Sequence, residues 1–458
     1  MTSTALQTLR RSDLETLGLA VATGMVLADS SIVILALPEI LREFDVGIAS
    51  VAWVITSFNL VLALVAVPAA LIGRRRPREV CAAGLLVFAA ASLVCALAPS
   101  FEVLVAARCV QAIGGAAVVC SALELLPRTT GSEAKAVAAW ATAGALGAAI
   151  GPALGGALTE AISWQAIFLA QTPAALLAIP VLRGPSPTPA EAIPVGRPRI
   201  GPNVALGLIS AALTAALFLL VLMLIEGWRM TPLQAAATVS VMPLFAFASG
   251  RLARFGGSLA IRAAAGAILI GGGLAALGLL PDAGWAWTIA PQALVGLGLG
   301  LALSALTERA LHGTSPQAVH GGWTMAARHA GVVLGLLALT PIFTAALDQQ
   351  RDAALESGTA ALLDANIDPE RKIALGQDIA STIQGVDAEL PDLGPAFDQN
   401  APPADSPEAD PYAELEATLS DEIDRAATDA FSGSFLLAAS FALLALIPIA
   451  ISRRRVSL

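Results

Sequence analysis

Apolar runs of about twenty residues recur along nearly the whole of this 458-residue chain, and that recurrence leaves few folds open. A helix needs roughly 20 apolar residues to cross a ~30 Å hydrocarbon core, and in lipid only helices and closed barrels satisfy every backbone polar group. Only 13% of the residues are charged, about half the share of an ordinary soluble domain. The pattern predicts an all-α integral membrane protein of twelve transmembrane helices. They are placed at 14–37, 49–72, 79–98, 101–126, 136–158, 164–183, 202–225, 233–254, 260–280, 286–310, 322–347 and 429–452. No cleavage-type signal precedes helix 1, and its charged start argues against its removal.

Arginine placement sets the orientation. Arg10 and Arg11 precede helix 1; Arg74, Arg75, Arg76 and Arg78 fill the 2–3 loop; Arg128 and Lys135 mark the 4–5 loop. Arg183, Arg197 and Arg199 follow helix 6, Arg251, Arg254 and Arg262 mark the 8–9 loop, and Arg453, Arg454 and Arg455 follow helix 12. With twelve spans all of these fall on one side, while the opposite short loops hold little more than Arg42 and Arg229. The positive-inside rule then puts both termini in the cytoplasm. Twenty of the 35 acidic residues lie between Asp348 and Asp429 beside only four basic ones, so that stretch carries −16 and the remainder +7. The acidic stretch falls outside the cell.

The expected organisation is a six-helix bundle at 1–183, a Pro- and Gly-rich cytoplasmic linker at 184–201, and helices 7–11 at 202–347. An acidic extracytoplasmic segment follows at 348–428, then helix 12 and its tail at 429–458. The two halves look related. Helix 3 reads AAGLLVFAAASLVCALAPS from Ala82, and helix 9 reads AAGAILIGGGLAALGLLPD from Ala264. Helix 4 ends SALELL from Ser121 and helix 10 ends SALTERAL from Ser304, while Trp140 and Trp323 open helices 5 and 11. Two pseudo-symmetric bundles built this way would bind substrate between them near the midplane.

Helix 5 carries GALGAAIGPALGGAL at 144–158. Gly144, Gly147, Gly151 and Gly155 fall on one helical face, Gly156 lies beside them, and Pro152 removes a backbone donor. Small residues let two helices approach closely in lipid, so the stripe reads either as a packing seam or as a pivot against helix 8 or 10 of the other half.

Charges within lipid-spanning segments are costly and mark function. Asp29 lies roughly 22 Å along helix 1 at 1.5 Å per residue, and Arg108 about two turns into helix 4 from the opposite end. The two reach one depth, which permits a pair or a shared cavity. Burial opposes the charged form of such a carboxylate and a nearby cation favours it. Asp29 is the expected proton-coupling residue and Arg108 its partner; a static ion pair is the competing reading. Gln111, Trp53, Phe58, Asn59 and Arg328 are expected around the substrate cavity. His329 reads as a packing histidine or a proton relay. Glu124 and Glu308, at matching ends of helices 4 and 10, are candidates to meet Arg74, Arg75 and Arg76 as a cytoplasmic gate, or are simply solvated. Glu226 reads as interfacial. Cys81, Cys95, Cys109 and Cys120 have no metal-type spacing and read as apolar fillers. No phosphate-binding loop, metal cluster or nucleophile–base set occurs. The chain is therefore expected to be no enzyme, to take no cofactor beyond a proton gradient, and to bind no nucleic acid.

These residues resemble the major facilitator superfamily, in particular its drug:proton antiporter branch, usually of fourteen helices. ADSSIVILALP at 28–38 is similar to that branch's membrane-aspartate motif, and RCVQAIGGAA at 108–117 to its R-x-x-Q-G-x-G motif. The helix-5 stretch is similar to the antiporter signature, and SWQAIFLAQTP (163–173), MTPLQAAATVSVMP (230–243) and SPQAVHGGWTMAARHAGVVLG (315–335) extend the likeness. The 2–3 loop departs from the family pattern: Ala69 and Gly73 stand where the family has glycine and aspartate, in AALIGRRRPRE. Ala112 replaces a glycine, and two central helices are missing. The resemblance implies proton-driven export of hydrophobic or amphipathic compounds across a bacterial inner membrane by alternating access; a monomer in the lipid bilayer is expected. A lipid or metabolite carrier, and a non-transporting sensor or scaffold, are the alternatives. The 348–428 segment is expected to form two or three short helices around a Pro-rich middle. It acts as a lid, a vestibule, a docking surface for an envelope partner, or a tolerated insertion.

Overall fold

Helices form the regular structure in a computed structural model that describes residues 3–182, 194–252, 257–280, 284–384, 393–403 and 405–454. Arg183, linker residues 184–193, Arg254 and Arg455 lie outside the described residues, as do the side chains of Arg10, Arg11, Arg251, Arg453 and Arg454. Among the described residues eleven helices are long and apolar enough to cross a membrane. In the first half these are helix 1 (Ser12–Ile34), helix 2 (Ile48–Gly73), helix 3 (Pro77–Ala96), helix 4 (Phe101–Thr130) and helix 5 (Glu133–Ala161). In the second they are helix 7 (Ile200–Gly227), helix 8 (Pro232–Gly250), helix 9 (Leu259–Gly278), helix 10 (Trp285–Leu311), helix 11 (Gln317–Asp364) and helix 12 (Thr428–Ser452). Helix 6 (Gln165–Ala178) is shorter and continues in a 3₁₀ turn, Ile179–Leu182.

Local chemistry explains the ends. Ser100 caps helix 4 by accepting from the Val103 N–H, and Gly131, at φ 70°, ends it in the left-handed conformation that glycine tolerates. Thr231 and Gln234 form a reciprocal capping box at the start of helix 8, with Pro232 in the first turn. Helix 8 is interrupted at Ser240, just ahead of Pro243, whose nitrogen has no hydrogen to give the Val239 carbonyl.

The halves repeat their packing. Helix 1 lies along helix 5 as helix 7 lies along helix 11, and helix 3 lies along helix 4 as helix 9 lies along helix 10. A Cβ on Gly147 would run into the Gly24 carbonyl, and one on Gly331 into that of Gly207. The same holds for Gly84 against Gly114, and for Gly266 against Gly298. Backbones can come this close only where side chains are missing. The landmark tryptophans part company: Trp140 is buried and donates to the Val119 carbonyl at 3.1 Å, whereas Trp323 is exposed.

The helix-5 stripe does not meet helix 8 or 10 as expected. Gly144 faces Leu27, Gly147 faces Gly24, Gly151 faces Ser31 and Gly155 faces Ile32, all on helix 1 of the same half. Only Gly156 turns to the other half, against Pro232 and Ala236 of helix 8. Helix 1 offers Gly24, Ala28 and Ser31 on a matching face, so the two small-residue faces close on each other. Pro152 is buried within an unbroken helix.

The acidic stretch is built on the membrane helices themselves. Helix 11 runs unbroken through Leu347 and Asp348 to Asp364, 48 residues or about 72 Å, well beyond a ~30 Å core. Helix 12 begins far outside its apolar part, at Ala409. The sequences read as separate short helices at 346–365 and 411–430 are these extensions, because no helix breaker separates them from the spans. Two further helices, Pro369–Gln384 and Gly394–Gln399, lie between them. A small core of Ile367, Leu375, Leu393, Phe397, Tyr412, Leu415 and Leu419 joins the parts. At its base the Phe343 and Phe431 rings lie 4.4 Å apart.

Candidate functional site

The first half encloses a closed ring of polar side chains. Asp29 of helix 1, Arg108 and Gln111 of helix 4 and Ser92 of helix 3 are wholly buried, and Gln171 of helix 6 is nearly so. Arg108 Nη1 donates to Asp29 Oδ2 at 2.5 Å and to Gln111 Oε1 at 2.6 Å. Gln111 Nε2 donates to Gln171 Oε1 at 2.8 Å, and Gln171 Nε2 returns to Asp29 Oδ1 at 2.9 Å. Arg108 Nε donates to the Val54 carbonyl at 3.0 Å, and its guanidinium lies 4.3 Å from the centre of the Phe58 ring. Burying an ion pair costs several kcal/mol of desolvation per ion, so it persists only where the remaining donors and acceptors are also met. Here both Asp29 oxygens are met, while Arg108 Nη2 is buried without a hydrogen-bond partner.

Three turns of sequence build this ring. Arg108 and Gln111 are three residues apart and share a helix face. Gln171 comes from the short helix 6, where the only signal in the sequence is a polar residue within an apolar run ahead of Pro173. The second half has no counterpart. In the register set by the glycine pairs, Ala212 takes the place of Asp29 and Gln292 that of Arg108. Gln292 donates to Thr288 Oγ1 at 2.9 Å, and its Oε1 is buried with no partner.

A second polar group crosses between the halves. Asn59 of helix 2 donates to Ser30 Oγ at 3.1 Å, and His329 Nδ1 of helix 11 lies 2.6 Å from Asn59 Oδ1. His329 is thus a hydrogen-bonded interface residue one step in sequence from Arg328 and, through Asn59 and Ser30, from Asp29. Arg328 is partly buried, and its Nε has no hydrogen-bond partner. Trp53, expected at the cavity, is 43% exposed at the start of its helix. It lies six residues from Asn59, which puts it on another helix face.

At the end that carries the termini, Gly73 leaves helix 2 against Ser121 of helix 4, where a Cβ would stand 3.0 Å from the hydroxyl oxygen. An aspartate has no room there without displacing Ser121. The charge contact lies elsewhere: Arg78 Nη2 donates to Glu15 of helix 1 at 2.7 Å, both largely buried. Arg75 and Arg76 are exposed and Arg74 is partly buried. Glu124 pairs at 3.9 Å with Arg128 on its own helix, and Glu308 is exposed. At the far end Arg42 reaches across the halves to Glu226 at 2.8 Å, so Glu226 is an inter-half contact rather than a solvated interfacial group. Glu160 of helix 5 likewise accepts from the Leu233 N–H of helix 8 at 2.9 Å.

Residues 19–338 match the profile of the Major Facilitator Superfamily. The chain is 36% identical over 170 residues to the multidrug resistance protein Stp of Mycobacterium tuberculosis, covering 35% of this chain and 31% of that protein. It is 30% identical over 205 residues to the drug efflux pump JefA of the same organism, covering 43% and 40%. It is also 29% identical over 191 residues to the multidrug efflux pump LfrA of Mycolicibacterium smegmatis, covering 39% and 37%. The matched stretches thus span less than half the length of these relatives. Its fold resembles that of a bacterial homologue of the human lysosomal transporter Spinster in an inward-facing, unoccupied conformation. The TM-score is 0.63 at 16% identity, over 96% of this chain and 98% of that one. With a family profile running from helix 1 into helix 11 and a matching fold, the chain is a multi-pass membrane protein that belongs to the Major Facilitator Superfamily of transporters.

Proposed function

We propose that this protein exports hydrophobic or amphipathic compounds by proton antiport, the two six-helix halves rocking around the polar groups between them. One observation carries the reading: the wholly buried Asp29–Arg108–Gln111–Gln171 ring next to the Ser30–Asn59–His329 contact between halves. Ionised, Asp29 holds Arg108. A proton on Asp29 removes the charge that holds Arg108, frees the guanidinium and loosens helix 1 from helix 4. Because Ser30 follows Asp29 directly, that change reaches Asn59 and His329. Relatives named as drug and multidrug efflux pumps support the direction of transport and the substrate class. The arginines on the side of the termini support a cytoplasmic location for that side in the cell's inner membrane, with the 348–428 unit outside. There the unit is a candidate docking surface for an envelope partner, and the transporter itself works as a monomer. Pro152, inside the one helix whose glycines meet both helix 1 and helix 8, is the proposed hinge.

The decisive test compares wild type with Asp29→Asn in proteoliposomes. Uphill export under an imposed proton gradient is lost in Asp29→Asn while downhill exchange persists. Full gradient-driven export by the variant overturns the coupling role.

A further inference from the structure

Among the described residues three charges stand deep in the membrane-spanning helices: Asp29, Arg108 and Arg328. The first two neutralise each other at 2.5 Å. Four further carboxylates on the helices of the bundle are committed or distant. Glu15 holds Arg78, Glu226 holds Arg42, Glu124 faces Arg128, and Glu308 is exposed at a helix end. Arg328 is left as surplus positive charge, its Nε buried without a partner, and no ion pair joins it to any described residue. It lies eleven residues into helix 11, roughly 16 Å at 1.5 Å per residue, close to the middle of a ~30 Å core.

Helix periodicity says where it points. Gly331 faces helix 7, His329 faces Asn59 of helix 2, and Gly321, two turns before Arg328 on the same face, meets Leu123 of helix 4. Exposed Trp323, Ala330, Leu334 and Leu337 occupy the opposite side. Arg328 therefore points between helices 2 and 7, toward the first half, next to the inter-half contact of His329 and Asn59. An unpaired guanidinium in hydrocarbon is expensive, and its five donors suit two oxygens of an oxyanion.

We infer that Arg328 is the docking point for the oxyanion head group of an amphipathic substrate, a carboxylate or a phosphate carried on an apolar tail. Cationic amphipaths of the same shape are disfavoured there. The inference rests on the transport reading and narrows its substrate class.

The test uses the full chain. Binding of a fluorescent twelve-carbon carboxylate, the matching phosphate monoester and the matching trimethylammonium is measured in detergent without a gradient, and flux of each in proteoliposomes. Wild type binds both anions more tightly than the cation. Arg328→Gln weakens anion binding about tenfold or more and leaves the cation unchanged, while Arg328→Lys retains part of the preference. Comparing carboxylate with phosphate identifies the head group. The ligand-free melting temperature of Arg328→Gln equals or exceeds that of wild type, because an unpaired, partly buried charge has been removed; a structural ion pair would move it down. A wild-type preference for the cation, unchanged anion binding in Arg328→Gln, or a fall in its ligand-free melting temperature overturns the assignment. Gradient-driven flux of the cation without anion preference overturns Arg328 alone. Absence of both binding and flux for all three probes overturns the transport reading with it.

Discussion

Gln171 Nε2 lies 2.9 Å from Asp29 Oδ1, and this contact between helix 6 and helix 1 closes the buried ring. Without it Asp29 Oδ1 loses its donor, and Gln111 Nε2 keeps Ser92 Oγ, at 2.8 Å, as its remaining acceptor. Gln171→Leu is expected to destabilise the protein by about 1–3 kcal/mol, the cost of unmet buried polar groups. Thermal unfolding in detergent measures it. Gradient-driven export falls in the same variant, whereas Gln171→Asn, which keeps the amide chemistry at shorter reach, loses less.

Gly147 lies so close to the Gly24 carbonyl that it accepts no side chain without moving a backbone, while a Cβ on Gly24 would stand a tight 3.0 Å from the Ala143 carbonyl oxygen. Gly147→Ala is expected to lower stability by about 1–3 kcal/mol through overpacking within the first half. Pro152→Ala makes the opposite prediction. It restores a helix donor and leaves the melting temperature unchanged or raised, while transport falls if the proline serves as a hinge. Measuring melting and flux on both variants separates packing from pivoting; unchanged transport in Pro152→Ala removes the hinge.

Glu15 and Arg78 tie helix 1 to the start of helix 3 where the loop lacks its aspartate. Glu15→Gln and Arg78→Gln each lower stability, and the double variant is no worse than the weaker single. A double-mutant cycle on melting gives a coupling of about 0.5–3 kcal/mol. Additive losses exclude the pair as the substitute contact.

Tyr412 is the chain's single tyrosine and its hydroxyl donates to the Phe397 carbonyl at 2.6 Å inside the outer unit. Burial pushes its ionisation up from the ordinary 10 to about 12. An acid whose folded value is raised contributes stability that is complete below about pH 10 and is lost as pH climbs toward about 12. Phenolate absorbance reads this directly, and an ordinary midpoint in the folded protein shows that the small core is open. Tyr412→Phe costs the unit about 1 kcal/mol.

Arg42 and Glu226 bridge the halves at the far end at 2.8 Å. Cysteines at both positions, once crosslinked, are expected to stop export, and reduction to restore it. Full export by the crosslinked protein shows that this end does not open.

Much of this protein follows from sequence by itself. Repeated apolar runs leave a polytopic helical fold as the solution because lipid offers the backbone no partners, and the cost of charge in lipid marks Asp29, Arg108 and Arg328 before any coordinates exist. The equal depth of Asp29 and Arg108 is likewise arithmetic on helix rise. Which helix receives a face is another matter. The helix-5 glycines meet helix 1 rather than the other half, Gln171 joins the ring from a helix too short to attract notice, and Trp53 turns outward. The outer unit stands on two continuous helices where sequence separates them. A helix sequence specifies which side is small, apolar or polar, but choosing a partner for that side depends on the rotation and register of every neighbouring helix at once, and only the tertiary packing decides it.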